Sequence, residues 1–514
     1  MPFRQKSWKA PSTLSSMKLG PGRIPDNPLM IQFFTWESKK EGLSWWKHFA
    51  NEIPTLAEMG FTQAWLPPPN KATRPQGQGY DAYDLWDLGE FSQKGSVATR
   101  WGTKSELLQA CKLAKEHGID ILIDAVLNHK MGADRTEVFP AVPVDPRNRL
   151  KEIGPVRDIE AWTAYDFLGR NGKHSTLRWT QHHFTGVDWD RRTRSNDIFK
   201  IVGDGHEGWS QFVDKELYNY DYLLGADIDH RRPEVRADLL AWGSWILEST
   251  GASGFRLDAI KHMDRRFLLE FIKNCRATSG QSRMFAVAEY WSPDLKPMLP
   301  YIRAFQGQTA FFDVPLHYNL HLASKLGPRY DLRQILNGTI VKGRPDCAVT
   351  FVDNHECQVG QTLESWVDTN FKLQAYALIL LRSSGHPCVF YGDLYPNEEC
   401  YHKEIARGLK LLIEARKNHA YGKMKNYFTD KTCVGFVRLG TPQHPGCATV
   451  ITHQSSGVKF SQKHMYMHVG FAHGGSTYRA LLNQSSANVE ISEDGWGRFP
   501  SSPQGVEVWV KVRE

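Results

Sequence analysis

Eight short apolar runs, separated by stretches of helical periodicity, constrain the fold of this chain more than any other feature. They are LMIQFF (29–34), FTQAWLP (61–67), IDILIDAV (119–126), GFRLDAI (254–260), MFAVAEY (284–290), FFDVPL (311–316), AVTFVDN (348–354) and PCVFYGD (387–393). Strands buried on both faces of a parallel sheet read as continuous apolar runs of this kind. Between them, helical patterns fall at 45–59, at 234–250 and near 264–274, 329–336, 371–383 and 404–417; Thr103 and Glu106 have capping-box spacing ahead of a further helix. Eight strand–helix repeats predict a (β/α)8 barrel, typically about 250 residues before insertions. A doubly wound open sheet is the alternative, but no G-x-G-x-x-G follows the first run.

The alternation breaks after His129 and resumes near residue 227. The intervening text is rich in Trp, Asp, His and Arg and predicts an irregular domain inserted after the third strand. Beyond residue 420 the pattern turns to short strands, from Cys433 through to the run starting at Gly505, which predict a C-terminal antiparallel β-sandwich. The expected organisation is an N-terminal extension (1–27), a barrel (28–128 and 227–419), the insertion (129–226) and the β domain (420–514).

Composition narrows the class. The net charge of +7 is scattered rather than gathered into a tail, and no zinc-finger, homeodomain or RRM pattern is present, so no nucleic-acid partner is expected. The first twenty residues hold no apolar core of signal-peptide length and no run approaches a bilayer span, so no membrane association is expected. None of the 8 Cys forms a C-x-x-C pair, as in a reducing cytoplasm. The chain is expected to be monomeric. Its 17 Trp form a supply of flat surfaces matching the C–H faces of sugar rings, although most belong to a core.

In a barrel the reactive groups stand at the C-terminal ends of several strands. That rule selects Asp124, Asn128 and His129 on the third, Arg256 and Asp258 on the fourth, Glu289 on the fifth, and Asp353, Asn354 and His355 on the seventh. Like charges gathered at one mouth are costly. Glycoside hydrolysis gives them a purpose, since it needs one ionised carboxylate and one protonated carboxyl. Arg256 lies two residues before Asp258, so both side chains face one way and the cation can hold Asp258 ionised. Glu289, among Ala288, Tyr290 and Trp291, is placed for a raised pKa. The competing reading is an ion-pair network closing the barrel top.

At these residues the sequence resembles the alpha-amylase family of glycoside hydrolases. The blocks are DAVLNH (124–129), GFRLDAIKH (254–262), AEYW (288–291) and FVDNH (351–355), supported by GFTQAWLPPP (60–69), GYDAYDLWDLGEF (79–91) and LLGADIDH (223–230). The GYDAYDLWDLGEF stretch is most similar to liquefying-type bacterial enzymes and their intracellular fungal relatives. The resemblance implies Asp258 as nucleophile, Glu289 as general acid/base and Asp353 as the third carboxylate. It implies Tyr80, His129, Arg256, Lys261, His262, His355 and Trp291 as substrate-binding residues. It also implies a structural calcium ion held by Asn128, Asp221, Asp227 and the main-chain carbonyl of His262, all hard oxygen ligands. An Asp expected near Ser210 is missing although Asp229 is kept, so further metals are not expected. The implied activity is endo-acting, retaining hydrolysis of α-1,4-glucan or maltooligosaccharides. A 4-α-glucanotransferase sharing the same covalent intermediate is the alternative. A non-catalytic glycan-binding relative is disfavoured, because the three carboxylates are all present.

Overall fold

The computed structural model describes residues 13–20, 27–203, 205–453, 462–483 and 488–512. Eight parallel strands close into a barrel in strictly sequential order: β1 Met30–Gln32, β2 Gln63–Trp65, β3 Asp120–Ala125, β4 Gly254–Leu257, β5 Phe285–Ala288, β6 Ala310–Phe312, β7 Ala348–Phe351 and β8 His386–Phe390. Every residue of these strands is buried, as double-faced packing requires. Register sets up the chemistry at the mouth. Arg256 lies opposite Asp124 on β3, and Leu257 opposite Ala288 on β5, so the next residues, Asp258 and Glu289, emerge side by side.

Local sequence explains the helices. Ser44 caps the helix Trp45–Met59 by accepting from Lys47 N, and Gly60 ends it at φ 97°, a left-handed value suited to glycine. Thr103 and Glu106 form the expected capping box on Lys104–Glu116. Two expectations need correction. FFDVPL is a strand only to Phe312; Asp313 then caps a helix, Val314–Leu326, through a bond from Leu316 N, with Pro315 in its first turn. The stretch 329–336 holds only 3-10 turns, Gly327–Arg329 and Leu332–Gln334. The sequence reading also passed over a helix at Leu295–Ala304, which carries Pro300 inside.

The insertion is not irregular. It is a seven-stranded antiparallel sheet built from His129–Lys130, Arg135–Asp145, Asn148–Glu152, Arg157–Ala164, Phe184–Asp190, Ser195–Ile201 and Ala226–Ile228. Register shifts interrupt four of its pairings, and Pro140 and Pro143 lie within one strand, so a period of two does not survive in the sequence. Its last strand pairs with His129–Lys130, which ties the insertion to the end of β3.

Among the described residues, the C-terminal region forms two antiparallel sheets, one of six strands and one of two. Met465, Met467 and Phe499 of the smaller sheet pack on Val437, Val450 and Trp509 of the larger. The N-terminal extension is more than a loose lead-in where it is described. Met17 is buried, Lys18 pairs with Asp120 at 2.6 Å, and Lys18 N bonds Arg283 O at 2.7 Å. Residues 1–12 and 21–26 lie outside the described residues.

Candidate active site

Arg256 is the centre of the mouth. It is fully buried, and its Nη1 donates to Asp124 Oδ1 at 2.8 Å and to Asp258 Oδ1 at 2.6 Å, while Nη2 lies 3.0 Å from Glu289 Oε2. Asp124 is held in turn by Tyr80 Oη (2.7 Å) and Trp65 Nε1 (2.9 Å). Glu289 Oε2 accepts from Ala259 N at 2.9 Å. That bond exists because Ala259 adopts φ 45°, ψ 43°, a left-handed conformation that a non-glycine residue keeps only where its surroundings enforce it. Strain directly after Asp258 thus serves to aim Glu289.

Oxygens of Asp258, Glu289 and Glu356 lie within 4.8 Å of one another. Burial pushes the Asp258 carboxyl up to about 6, against the pull of Arg256. Burial also raises Glu289, with Arg256 opposing and the Asp258 charge adding to the rise. Glu356 is raised by burial and then by Glu289. The Arg256 cation opposes the rise at all three carboxyls without cancelling it, so burial and mutual repulsion favour the protonated form at each relative to an isolated carboxyl. Glu289 Oε1 is buried without a hydrogen-bond partner, as is His355 Nε2.

Aromatic rings wall the space. A cavity of about 400 Å³ is lined by Tyr80, His129, Asp258, Lys261, His262, Glu289 and Trp291, all expected from sequence, together with Trp36 and Glu356. Trp36, His355 and Tyr80 lie nearly parallel, with centroids 5.1–5.8 Å apart. His355 is fully buried and stays neutral, its pKa pressed far down by burial. Gln32 Nε2 contacts its Nδ1 at 3.0 Å. His129 Nε2 contacts the Tyr80 carbonyl at 2.8 Å. Lys261 Nζ reaches Glu216 at 2.9 Å, bridging barrel to insertion.

Asp353 is the one expected carboxylate that is not brought to this cluster. It points away to Lys372 Nζ and to Cys357 Sγ, the latter at 3.1 Å. Glu356 takes the place in the cleft. An Asx turn makes the difference: Asn354 Oδ1 accepts from Glu356 N (2.9 Å) and Cys357 N (3.0 Å), turning the chain after Asp353 back to the mouth. The strand-end rule reached Asp353, Asn354 and His355 and stopped one residue short of Glu356; the Asn was the available signal. Trp36, just past β1, was missed as well, although it too stands at a strand's C-terminal end.

A second polar cluster sits where insertion meets barrel. Asp221 and Asp227 are both buried, and burial pushes Asp221 up to about 7; Asp227 is raised well above the usual range by burial and by Asp221. Asn128 Oδ1 is buried with no partner, while Asn128 Nδ2 reaches Asp227 at 3.4 Å. His262 Nδ1 contacts the carbonyl of Tyr220, beside Asp221, at 2.8 Å. Two buried carboxyls with raised pKa and an orphan amide oxygen fit a hard divalent cation. Asp229 is engaged otherwise, by Arg231 Nε and Nη2 at 2.7 and 2.9 Å.

A parallel barrel with acid side chains clustered about one buried arginine, under aromatic walls, defines an enzyme of the glycoside hydrolase class. The chain belongs to the alpha-amylase family. Residues 37–408 match the alpha amylase catalytic domain and 457–510 the alpha-amylase C-terminal domain. It is 42% identical to an alpha-amylase of Geobacillus stearothermophilus (95% of this chain, 87% of that one). It is 42% identical to the glucan 1,4-alpha-maltohexaosidase of Bacillus sp. (strain 707) (94% and 92%) and 39% identical to the cytoplasmic alpha-amylase of Escherichia coli (strain K12) (94% and 99%). The solved alpha-amylase of Geobacillus thermoleovorans, complexed with acarbose, shares the fold at a TM-score of 0.60 and 19% identity, over 95% of this chain and 99% of that one.

Proposed function

We propose that this chain is an endo-acting, retaining α-amylase that hydrolyses α-1,4-glucosidic bonds. The observation that carries the reading is the close approach of Asp258 and Glu289, one oxygen of each lying within 4.8 Å of the other. Retaining pairs stand about 5–5.5 Å apart, and inverting pairs are wider to admit a water between them. Arg256 engages Asp258 Oδ1, leaving the other oxygen to attack the anomeric carbon. Glu289, raised by burial, protonates the departing glycosidic oxygen and then removes a proton from the water that resolves the covalent intermediate. Glu356, rather than Asp353, is the third carboxylate, bonding sugar hydroxyls as positive charge develops on the ring. His355 Nε2 is a further partner for those hydroxyls. Tyr80 and Trp36 stack against the sugar and exclude water.

Asn128, Asp221 and Asp227, with the carbonyl of His262, would hold a calcium ion. Its chemistry there is structural: neutralising two buried carboxylates and fixing the insertion against the barrel. A second cavity of about 400 Å³, flanked by half-exposed Trp162 and Trp189 with Lys94 and Asp188, supports binding of a long chain. All eight cysteines are free thiols, which supports an intracellular glucan such as glycogen or maltooligosaccharide as substrate.

The test is to follow maltoheptaose and soluble starch by chromatography and proton NMR with calcium present. Shorter products alone, released first as the α-anomer, are expected, with Asp258→Asn, Glu289→Gln and Glu356→Gln inactive. First release of the β-anomer would sink the retaining assignment. Products longer than heptaose with few new reducing ends would make the chain a transferase.

A further inference from the structure

Beneath the cleft lies a buried ion triad that the reaction does not use. Lys372, on the helix Thr369–Leu381, is 1% exposed and pairs with Asp353 and with Asp393 Oδ1, the latter at 3.2 Å. Its Nζ sits 3.3 Å from the ring centroid of Trp366. Asp393, just after β8, also accepts from Tyr376 Oη at 2.6 Å. Burying three charges is costly and often no more stabilising than apolar packing, so their presence asks what they specify.

The bonds of Asp353 answer. Oδ1 accepts from Cys357 Sγ (3.1 Å) and from Val367 N (3.2 Å), and Oδ2 takes Lys372. One carboxylate therefore closes both ends of the segment 357–367, whose ends also meet through Ser365 N and Cys357 O at 3.1 Å. That segment and the residue before it supply Glu356, Gln361, Thr362 and Leu363 to the cleft wall. His317, the other neighbour, is fully committed, to Val352 O at 2.6 Å and Ser365 Oγ at 2.9 Å. With Asp353 already paired to a cation, these groups form a brace and not a metal site.

We propose that Asp353, anchored by Lys372 and Asp393, is a positioning residue that sets the location of Glu356 in the cleft. This rests on the reading of Glu356 as the third carboxylate. Displacing a reacting group by about 1 Å can cost roughly a hundredfold in rate. Asp353→Asn keeps the shape and the Oδ1 acceptor, and leaves Lys372 paired with Asp393.

The experiment measures kcat and KM on maltoheptaose, the pH profile and near-UV circular dichroism for wild type, Asp353→Asn, Lys372→Gln and Glu356→Gln, well below each Tm. Asp353→Asn is expected to lower kcat roughly ten- to a hundredfold with KM within about twofold. Both limbs of its pH profile should stay in place, because Asp353 touches no reacting atom. Lys372→Gln should show the same split. Wild-type kcat in a folded Asp353→Asn, or a loss that only tracks the unfolded fraction, overturns the positioning role. An active Glu356→Gln beside a dead Asp353→Asn instead overturns the reading of Glu356 beneath it.

Discussion

Asp258 shows how one residue's surroundings set a working pH. Burial pushes its carboxyl up to about 6, and Asp124 adds to the rise while Arg256 opposes it. Attack needs the ionised form, so kcat/KM should fall below about pH 6. Asp124→Asn removes a negative neighbour, which makes ionisation easier, and the acid limb should move to lower pH; a limb that stays or rises contradicts this. The same burial affects stability. Between the unfolded carboxylate range near 4 and the folded value near 6, the folded chain keeps a proton that the unfolded chain has released. Stability from this group is therefore lost as pH rises through that window. Asp258→Asn should raise Tm at pH 7 while abolishing activity, as expected where function is held at the expense of stability. Asp258, Arg256 and Glu289 were legible in the sequence because strand alternation and the strand-end rule act within a few residues. Glu356 was not, because a turn bonded by a single Asn side chain decides which acid faces the cleft.

Elements were legible where a local signal and the tertiary fold agree. The helix Lys104–Glu116 was announced by its capping box, and both reciprocal bonds are present. Thr103→Ala should cost about 1 kcal/mol, read from the urea midpoint. The insertion was opaque because its longest strand carries two prolines, four of its pairings are bulged, and the pairing of Ser195–Ile201 with Arg135–Asp145 joins distant parts of the chain. Its attachment rests on the pairing of Ala226–Ile228 with His129–Lys130 beside Asn128 and Asp227. Chelation with EDTA should lower Tm and speed proteolysis within 129–226. Calcium at a hundredfold excess over its Kd should restore about 2.7 kcal/mol. Asp227→Asn should blunt the response to both; an insertion whose cleavage ignores EDTA would remove the structural role of the ion.

At the scale of the molecule, the helix Thr369–Leu381 joins barrel to C-terminal sheet. Its sequence is apolar nearly all round, as in a helix with neighbours on every side, and 10 of its 13 residues are buried. It has no glycine to end it. Instead, Arg416 takes the Leu380 carbonyl and Arg438, from the C-terminal sheet, takes that of Leu381 at 3.0 Å. Gln374 reaches Thr452 O at 3.3 Å, and Val434, Phe436, Val506 and Val508 belong to the same continuous core as the barrel strands. The sequence marks a change of pattern near residue 420 but cannot reveal this shared core, since patterning reports which face is apolar and not what covers it. The same helix carries Lys372, so the C-terminal sheet supports the brace under Glu356 from behind. A chain ending at residue 419 should therefore expose apolar surface, bind a hydrophobic dye and aggregate, and any soluble fraction should lose kcat more than KM on maltoheptaose. The full chain should unfold in calorimetry with barrel and C-terminal sheets melting together. A monodisperse 1–419 barrel with full activity would mean that the two regions fold separately and that the support runs no further than the helix itself.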